Sequence, residues 1–252
     1  MLCDPLAALF AELGRLRALS SLERELARRG YRFVAGVDEV GRGCLAGPVV
    51  AAAVILPSDC VLPGLDDSKR LDAEAREKLD RQVRMRAVAV AIAHVEASQI
   101  DERDILRSSL TAMRQAVEAL SPAAEALLVD AVTVPGVRRP QLPIVHGDAL
   151  CSSIAAASIV AKVYRDALLS ELARRYPAYG FEHHKGYGTS EHWAALRLYG
   201  PCPEHRLSFE GVISGTPRLE PPAPAKPRRG RVSRSRRPSP SRPGKSEHSR
   251  PS

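Results

Sequence analysis

The sequence of 252 residues, 44% of them apolar, is long enough to bury one sizeable hydrophobic core or two small ones. Its formal net charge of +8 comes from residues 214–252, which hold 11 Lys and Arg but only two acidic side chains. This segment also holds 9 of the 20 prolines and no aromatic residue, so it lacks the apolar surface that would offset the entropy of ordering. We predict a disordered tail rich in Arg, Pro and Ser over residues 214–252, and a nearly neutral folded body.

The sequence carries no sign of a membrane or secreted protein. No run approaches the ~18 consecutive apolar residues of a membrane span. Asp4 and Glu12 interrupt the apolar N-terminal residues where a signal peptide would need a clean apolar stretch. The five cysteines form no CxxC pair and have no histidine at zinc-binding spacing. We therefore predict free thiols in a reducing compartment and a cytoplasmic protein without membrane contact.

Hydrophobic periodicity predicts the elements in chain order. Leucine and phenylalanine residues three or four apart indicate an amphipathic helix over residues 5–28, within an N-terminal unit of residues 1–30. Strands follow at residues 31–38, 47–57 and 86–97, with a charged helix at about 71–84 before the third strand. The second half alternates, with helices at residues 101–120, 151–175 and 190–199 and strands at residues 126–131 and 141–149. This order predicts an α/β domain over residues 31–213 with a mixed sheet.

Acidic residues end three of the predicted strands. Asp38 and Glu39 end the first strand, Asp130 lies at the end of the fourth, and Asp148 lies near the end of the fifth. One acid at a strand end is ordinary because Asp favours turns, but three indicate that the carboxylates converge at one edge of the sheet. Adjacent residues of a regular strand point to opposite faces, so Asp38 and Glu39 can share a site only if the strand ends or bulges between them.

Four clustered carboxylates repel one another and need cations to balance their charge. An all-oxygen ligand set suits Mg²⁺ or Mn²⁺, and two such ions about 3.5–4 Å apart would clamp a phosphodiester for in-line displacement. The glycines after the acids do not form a dinucleotide loop. Gly41, Gly43 and Gly47 are spaced one residue too long for that fingerprint, and Pro48 leads into a strand where the fingerprint requires a helix.

Two further groups of polar residues each have two interpretations. The histidines could supply a general base, but polar packing or phosphate contact is favoured because metal ions can activate water. Three residues spaced four apart on the long helix fit either a supporting role at the site or an internal ion pair. For the protein as a whole, the alternative to a metal-dependent enzyme is a nucleic-acid-binding protein without activity. The two groups are His183, His184, His192 and His205, and Ser158, Lys162 and Asp166.

The sequence resembles bacterial ribonuclease HII in six segments that occur in the family's order between about residues 31 and 213. The segments are GVDEVGRGCLAGPVVAAAVIL, LDDSKRL, LLVDA, GDALCSSIAAASIVAKVYRD, HHKGYGT and EHRLSF. The resemblance implies an α/β, RNase H-like fold, with a mixed five-stranded sheet flanked by helices and a C-terminal helical segment before the disordered basic tail. It also implies a catalytic domain of this family over residues 31–213.

The implied activity is that of a monomeric endonuclease that uses Mg²⁺ or Mn²⁺, with two ions, to hydrolyse RNA in RNA–DNA hybrids. The resemblance further implies incision on the 5′ side of ribonucleotides embedded in duplex DNA. This cleavage leaves 3′-hydroxyl and 5′-phosphate ends and serves ribonucleotide removal and primer clearance.

The resemblance also assigns roles to residues. The family's catalytic metal ligands fall on Asp38, Glu39, Asp130 and Asp148. Its loop that reads the 2′-hydroxyl and its junction-sensing tyrosine fall on Gly41, Arg42, Gly43 and Tyr187. The expected phosphate contacts are Lys69, Lys185 and Arg206. Three positions depart from the family pattern without removing a metal ligand, namely His146, Cys44 and Ala131, where Lys, Pro and Gly are commoner.

The basic tail has two interpretations, a solubilising extension or an electrostatic tether for DNA. A flexible chain of this length reaches on the order of 35 Å, far enough to contact phosphates outside the footprint of the body. If the tail is a tether, truncation after Ser214 should weaken duplex binding at moderate salt and flatten the slope of log K against log salt by several units. Salt titrations of full-length and truncated protein, both in Ca²⁺ to prevent cleavage, measure this slope. Superimposable slopes would mean that the tail does not engage DNA.

Overall fold

The computed structural model describes residues 5–213, so the predicted tail over residues 214–252 lies outside the described residues. The strands are β1 (Val34–Val40), β2 (Val49–Ile55), β3 (Ala89–Val95), β4 (Ala126–Asp130) and β5 (Gln141–Ile144). The helices of the first half are α1 (Pro5–Leu19), α2 (Ser21–Arg28), α3 (Ala73–Arg86), α4 (Ala97–Arg103) and α5 (Ile105–Glu118). Those of the second half are α6 (Gly147–Leu150), α7 (Ser152–Arg175), α8 (Phe181–His184) and α9 (Ser190–Tyr199).

The five strands form one mixed sheet in the order β3-β2-β1-β4-β5. β1, β2 and β3 are antiparallel neighbours, whereas β1, β4 and β5 run parallel. All seven residues of β2 are buried, as expected for an apolar strand covered on both faces. α5 packs against one face of the sheet, and α7 with α3 covers the other. The predicted mixed five-stranded sheet flanked by helices, with a C-terminal helical segment, is confirmed.

Helix α7 lies directly against β1 because only small groups separate them. The first half of α7 reads SSIAAASIVA and is buried, and Gly36 of β1 faces its first turn. A Cβ atom at Gly36 would lie 2.0 Å from the carbonyl carbon of Ser153, a main-chain atom that no side-chain rotation can move aside. The absence of a side chain at Gly36 therefore sets the distance between α7 and the sheet.

The N-terminal helix predicted over residues 5–28 is wrong in one respect, because it is two helices that meet at Ser20. The Ser20 hydroxyl donates to the carbonyl of Leu16 at 3.0 Å, and Leu16 is buried against the body. Glu23 of α2 is also buried and accepts three hydrogen bonds of 2.7–3.0 Å from the first two residues of α7. A carboxylate at a helix N-terminus is stabilising, so α2 is attached to the body at the start of α7.

Two other element predictions also need correction. The helix predicted over residues 101–120 is interrupted at Asp104, which has a φ of 80° and accepts a hydrogen bond from the backbone N–H of Arg107 at 2.9 Å as the cap of α5. The strand predicted over residues 141–149 ends at Ile144, and a short helix follows it. Apolar periodicity reports which face is buried, and it does not reveal a single residue in a left-handed conformation.

Four cysteines among the described residues are free thiols, Cys44, Cys60, Cys151 and Cys202. Three of these are buried, and Cys60 is half-buried. No helix within residues 5–213 is both long and apolar enough to span a bilayer.

The contact at Gly36 gives a stability prediction. Gly36→Ala should lower the free energy of unfolding by about 3 kcal/mol or more, because the added methyl group meets main-chain atoms. Gly14→Ala is the matched control, since Gly14 lies in the exposed part of α1 with no atom within 4 Å of its Cβ position. That control should gain about 0.5–1 kcal/mol from helix propensity. Urea unfolding measures both, and a Gly36→Ala protein as stable as its parent would contradict the proposed close contact.

Candidate active site

A cavity of about 490 Å³ opens at the carboxyl end of β1 and β4. Three of the four predicted acidic ligands, Asp38, Glu39 and Asp130, line it. The other lining residues come from the end of β1 and the loop after it, the segment before α3, helices α3 and α7, and the turn after α8. They are Val40, Gly41, Arg42, Ser68, Lys69, Arg76, Ser158, Lys162 and Tyr187.

The expectation that β1 ends or bulges between its two acids is wrong. Asp38 and Glu39 keep a regular antiparallel register with Ala52 and Ala51 of β2. The pairing of β1 with β4 stops at Val37, so the last residues of β1 extend past β4 and border the open end of the sheet. Both acids can therefore line one cavity without a bulge.

Burial and mutual repulsion shape the electrostatics of these acids. Desolvation raises the pKa of Asp38 well above its usual range, and the charges of Glu39 and Asp130 raise it further. Burial also raises the pKa of Glu39, against the lowering effect of Arg42, whose Nη1 lies 3.2 Å from Glu39 Oε1. Burial raises the pKa of Asp130, although the N–H of Gly147 donates to its Oδ1 at 2.8 Å. The cluster holds more negative charge than its protein neighbours balance.

Asp148 is not at a strand end as predicted but lies within α6. It is buried, and its Oδ2 is 3.1 Å from Lys69 Nζ. Its charge contributes to the raised pKa of Asp130, so it is an electrostatic neighbour of the cavity. Between residues 5 and 213, no three acidic, histidine or cysteine side chains are already arranged as a metal ligand shell. The structure therefore brings three predicted ligands together and holds the fourth beside them through Lys69.

The donor set fits a hard divalent cation. Glu39 Oε2 is buried and has no hydrogen-bond partner, so it retains a free coordination position. All four side chains are carboxylates, and oxygen-only sets favour Mg²⁺ or Mn²⁺ over zinc. A cation here would offset the desolvation and repulsion that raise the pKa values of Asp38, Glu39 and Asp130.

Two buried arginines, Arg165 and Arg206, hold the loop between β1 and β2 from the protein interior. Arg165 of α7 is fully buried and donates to the carbonyls of Ala46, Pro48 and Lys185 at 2.9–3.0 Å. A Cβ atom at Gly41 would lie 2.2 Å from Arg165 Nε, so only glycine fits over this guanidinium. Sequence reasoning missed Arg165, although it stands between Lys162 and Asp166 in the segment AKVYRD.

The prediction that Arg206 contacts phosphate is wrong. Its side chain is fully buried and donates to the carbonyls of Gly47 and Arg42 at 2.9–3.0 Å. Burial lowers the pKa of Arg206 to about 10, so the guanidinium stays charged at neutral pH. Arg206 supports the loop from inside the protein and cannot reach a bound backbone.

The remaining predicted contacts differ in accessibility. Lys69 is 80% exposed although it is paired with Asp148. Lys185 Nζ donates to Ser170 Oγ at 2.7 Å and borders a neighbouring cavity rather than the acidic one. Arg42 and Gly43 are exposed, and Tyr187 is 43% exposed and lines the acidic cavity.

The polar residues of α7 had two interpretations, support of the site or an internal ion pair, and each is correct for some of them. Ser158 hydrogen-bonds to Asp38 and lies 2.9 Å from the hydroxyl of Ser68, so it supports the site. Lys162 lines the cavity and pairs with Asp166 at 2.8 Å. Three of the four histidines, His184, His192 and His205, are buried, so for them packing is the correct interpretation.

A mixed sheet of this order, with an acidic cavity at the end of its central strand, defines a hydrolase of the RNase H-like nuclease class. The solved ribonuclease H2 from Pyrococcus horikoshii OT3 superposes with a TM-score of 0.61 and 26% identity, covering 71% of this chain and 94% of that chain. The RNase HII of Archaeoglobus fulgidus, solved in complex with PCNA, gives a TM-score of 0.55 and 26% identity over 65% of this chain and 86% of that chain.

The sequence comparisons narrow this class to one family. The family model for ribonuclease HII matches residues 35–212. Ribonuclease HII of Geobacillus kaustophilus (strain HTA426) is 58% identical over 198 residues, covering 79% of this chain and 76% of the relative. That of Ruminiclostridium cellulolyticum is 48% identical over 79% of this chain and 78% of the relative. The chain belongs to the ribonuclease HII family and is a metal-dependent ribonuclease H endonuclease acting on RNA–DNA hybrids.

Proposed function

We propose that this enzyme incises on the 5′ side of ribonucleotides embedded in duplex DNA and leaves 3′-hydroxyl and 5′-phosphate ends. Its role is ribonucleotide removal and primer clearance, as a monomer in the cytoplasm. One observation carries the proposal: a single open cavity is bordered by three of the acids, by two residues of the loop after β1 and by the tyrosine of the turn after α8. These residues are Asp38, Glu39, Asp130, Gly41, Arg42 and Tyr187. The free cysteines support a reducing compartment.

The four carboxylates Asp38, Glu39, Asp130 and Asp148 are proposed to hold two Mg²⁺ or Mn²⁺ ions. When bound, such ions activate water and neutralise charge that develops on the phosphate. The free Oε2 of Glu39 and the raised pKa values of three carboxyl groups support this ligand set. Lys69 holds Asp148 beside the cluster, and its high exposure leaves its ammonium available to the bound phosphate backbone.

The loop after β1 and the turn after α8 are proposed to read the junction between RNA and DNA. The 2′-hydroxyl is the one sugar group that separates the two, and a backbone amide or carbonyl can read it as donor or acceptor. Gly43 has no atom within 4 Å of its Cβ position, which leaves its main chain open to a ligand. The exposed ring of Tyr187 is suited to stack on the deoxyribose that follows the ribonucleotide.

The first test removes one proposed ligand charge. Asp130→Asn should keep the fold, because its amide oxygen can still accept from Gly147, and should lose cleavage by at least a hundredfold, about 2.7 kcal/mol in the barrier. Asp59→Asn, a change at an exposed position remote from the cavity, is the control and should cleave normally. Cleavage of a duplex with one ribonucleotide in Mn²⁺, with calorimetric Mn²⁺ binding, measures both. Activity within tenfold of the parent would overturn the ligand assignment.

The second test concerns Tyr187. Tyr187→Ala should depress cleavage at a single embedded ribonucleotide more than cleavage of a continuous hybrid, because stacking on a nucleotide is worth ~1–3 kcal/mol. Tyr187→Phe retains the ring and should keep the ratio of the two rates. Steady-state kcat/KM on both substrates gives this ratio, and equal losses on the two substrates would remove this role from Tyr187.

A further inference from the structure

A chain of buried hydrogen bonds runs from the segment after α9 to the backbone of Tyr187. The N–H of Cys202 donates to Nδ1 of His205 at 3.0 Å, and Cys202 Sγ lies 3.1 Å from the same nitrogen. Nε2 of His205 is 2.9 Å from Nε2 of His192. Nδ1 of His192 is 2.9 Å from the carbonyl oxygen of Tyr187. His192 and His205 are both buried, with exposed fractions of 0% and 1%.

The chain has only one consistent direction. A backbone N–H can only donate, so Nδ1 of His205 must be an acceptor without a proton. The neutral ring then carries its proton on Nε2 and donates it to Nε2 of His192. His192 in turn carries its proton on Nδ1 and donates to the carbonyl of Tyr187. Each tautomer is thus fixed by the donor before it.

Burial keeps both rings neutral, which this direction requires. Desolvation lowers the pKa of His192 to about 4 and that of His205 to about 3. The ring of His184 stacks on His192 at 4.3 Å between centroids, and its Nδ1 accepts from the N–H of Gly186 at 3.2 Å. The two stacked rings therefore hold two peptide groups of the turn that carries Tyr187, the one between Lys185 and Gly186 and the one between Tyr187 and Gly188.

We propose that His205 and His192 are positioning residues that fix the peptide of Tyr187 and thereby aim its ring into the acidic cavity. The carbonyl of Tyr187 accepts from His192 and also from the N–H of Thr189 at 2.8 Å, so two donors define its direction. The Tyr187 N–H donates to the carbonyl of His184 at 2.9 Å. This inference rests on the role proposed above for Tyr187.

Two variants of His192 separate positioning from bulk packing. The amide nitrogen of asparagine is as many bonds from Cα as Nδ1 of histidine. The amide oxygen of glutamine is as many bonds from Cα as Nε2 and can accept from His205 as Nε2 does. His192→Asn can therefore still donate to Tyr187, and should keep the ratio of single-ribonucleotide to hybrid cleavage within about twofold. His192→Gln retains the contact to His205 but loses that to Tyr187, and should lower the ratio about tenfold. Equal ratios for both variants and the parent would overturn the proposal.

A double-mutant cycle tests whether His192 acts through Tyr187. In the Tyr187→Ala background, His192→Gln should cause no further loss of the ratio, because the ring to be aimed is absent. Independent, multiplicative losses would show a general structural role and overturn the proposal. Thermal melting of each variant establishes that it is folded.

Nitrogen-15 NMR of the histidine rings gives a readout independent of activity. We expect the Nδ1–H tautomer for His192 and the Nε2–H tautomer for His205 in the parent protein between pH 6 and 8. An Nε2–H tautomer at His192 would show that the proposed chain of hydrogen bonds does not exist, even if every variant loses activity. If Tyr187→Ala leaves the substrate ratio unchanged, the role of Tyr187 in the proposed function fails, and the tautomers alone decide whether the chain exists.

Discussion

The contact between α7 and β1 is the constraint on which the site depends. Gly36 allows the helix backbone to reach the strand, and this fixes where everything along α7 lies relative to the end of β1. Two residues after Gly36, Asp38 meets Ser158 of α7, and three residues further Gly41 closes over Arg165. At the other end, α6 leads directly into α7, which keeps Asp148 beside Asp130. One close backbone approach thus positions acids, loop and supporting side chains together.

Charge is distributed unevenly around this contact. Asp38 and Asp148 are buried, Glu39 and Asp130 are half-buried, and the four acids have too few cationic partners. Arg165 and Arg206, by contrast, are buried with carbonyl oxygens as their hydrogen-bond acceptors. A buried guanidinium needs its donors satisfied, and the carbonyls of the loop after β1 meet that need. The loop is therefore held by cations on its inner side while its outer side faces solvent. On the proposed function, that places fixed positive charge behind the main chain that meets an anionic backbone.

Much of this arrangement could be predicted from the sequence, and the exceptions have physical causes. The mixed sheet and the position of Asp38 and Asp130 follow from apolar runs that stop at acids. The extended pattern of QLPIVHGDA predicts a strand that ends near Asp148, whereas His146, with a φ of 56°, turns the chain into α6. The sequence does not reveal that Arg206 is buried, because its hydrogen-bond partners Gly47 and Arg42 lie about 160 residues away along the chain. A tyrosine in a Gly-rich turn is visible in the sequence, but the histidine pair beneath it depends on contacts 13 residues apart.

The segment after α9 supports both elements that are proposed to read the substrate. His205 reaches the turn of Tyr187 through His192, while the next residue, Arg206, bonds to the loop after β1. The main chain continues this link, because the N–H of Leu45 donates to the carbonyl of Gly186 and the N–H of Arg206 to that of Leu45, both at 2.8 Å. The loop and the turn are thus held at a fixed separation by peptide groups and buried side chains. On the proposed function, discrimination then depends on a preorganised spacing between the 2′-hydroxyl contact and the stacking ring, which a substrate meets only when its RNA–DNA junction has the matching geometry.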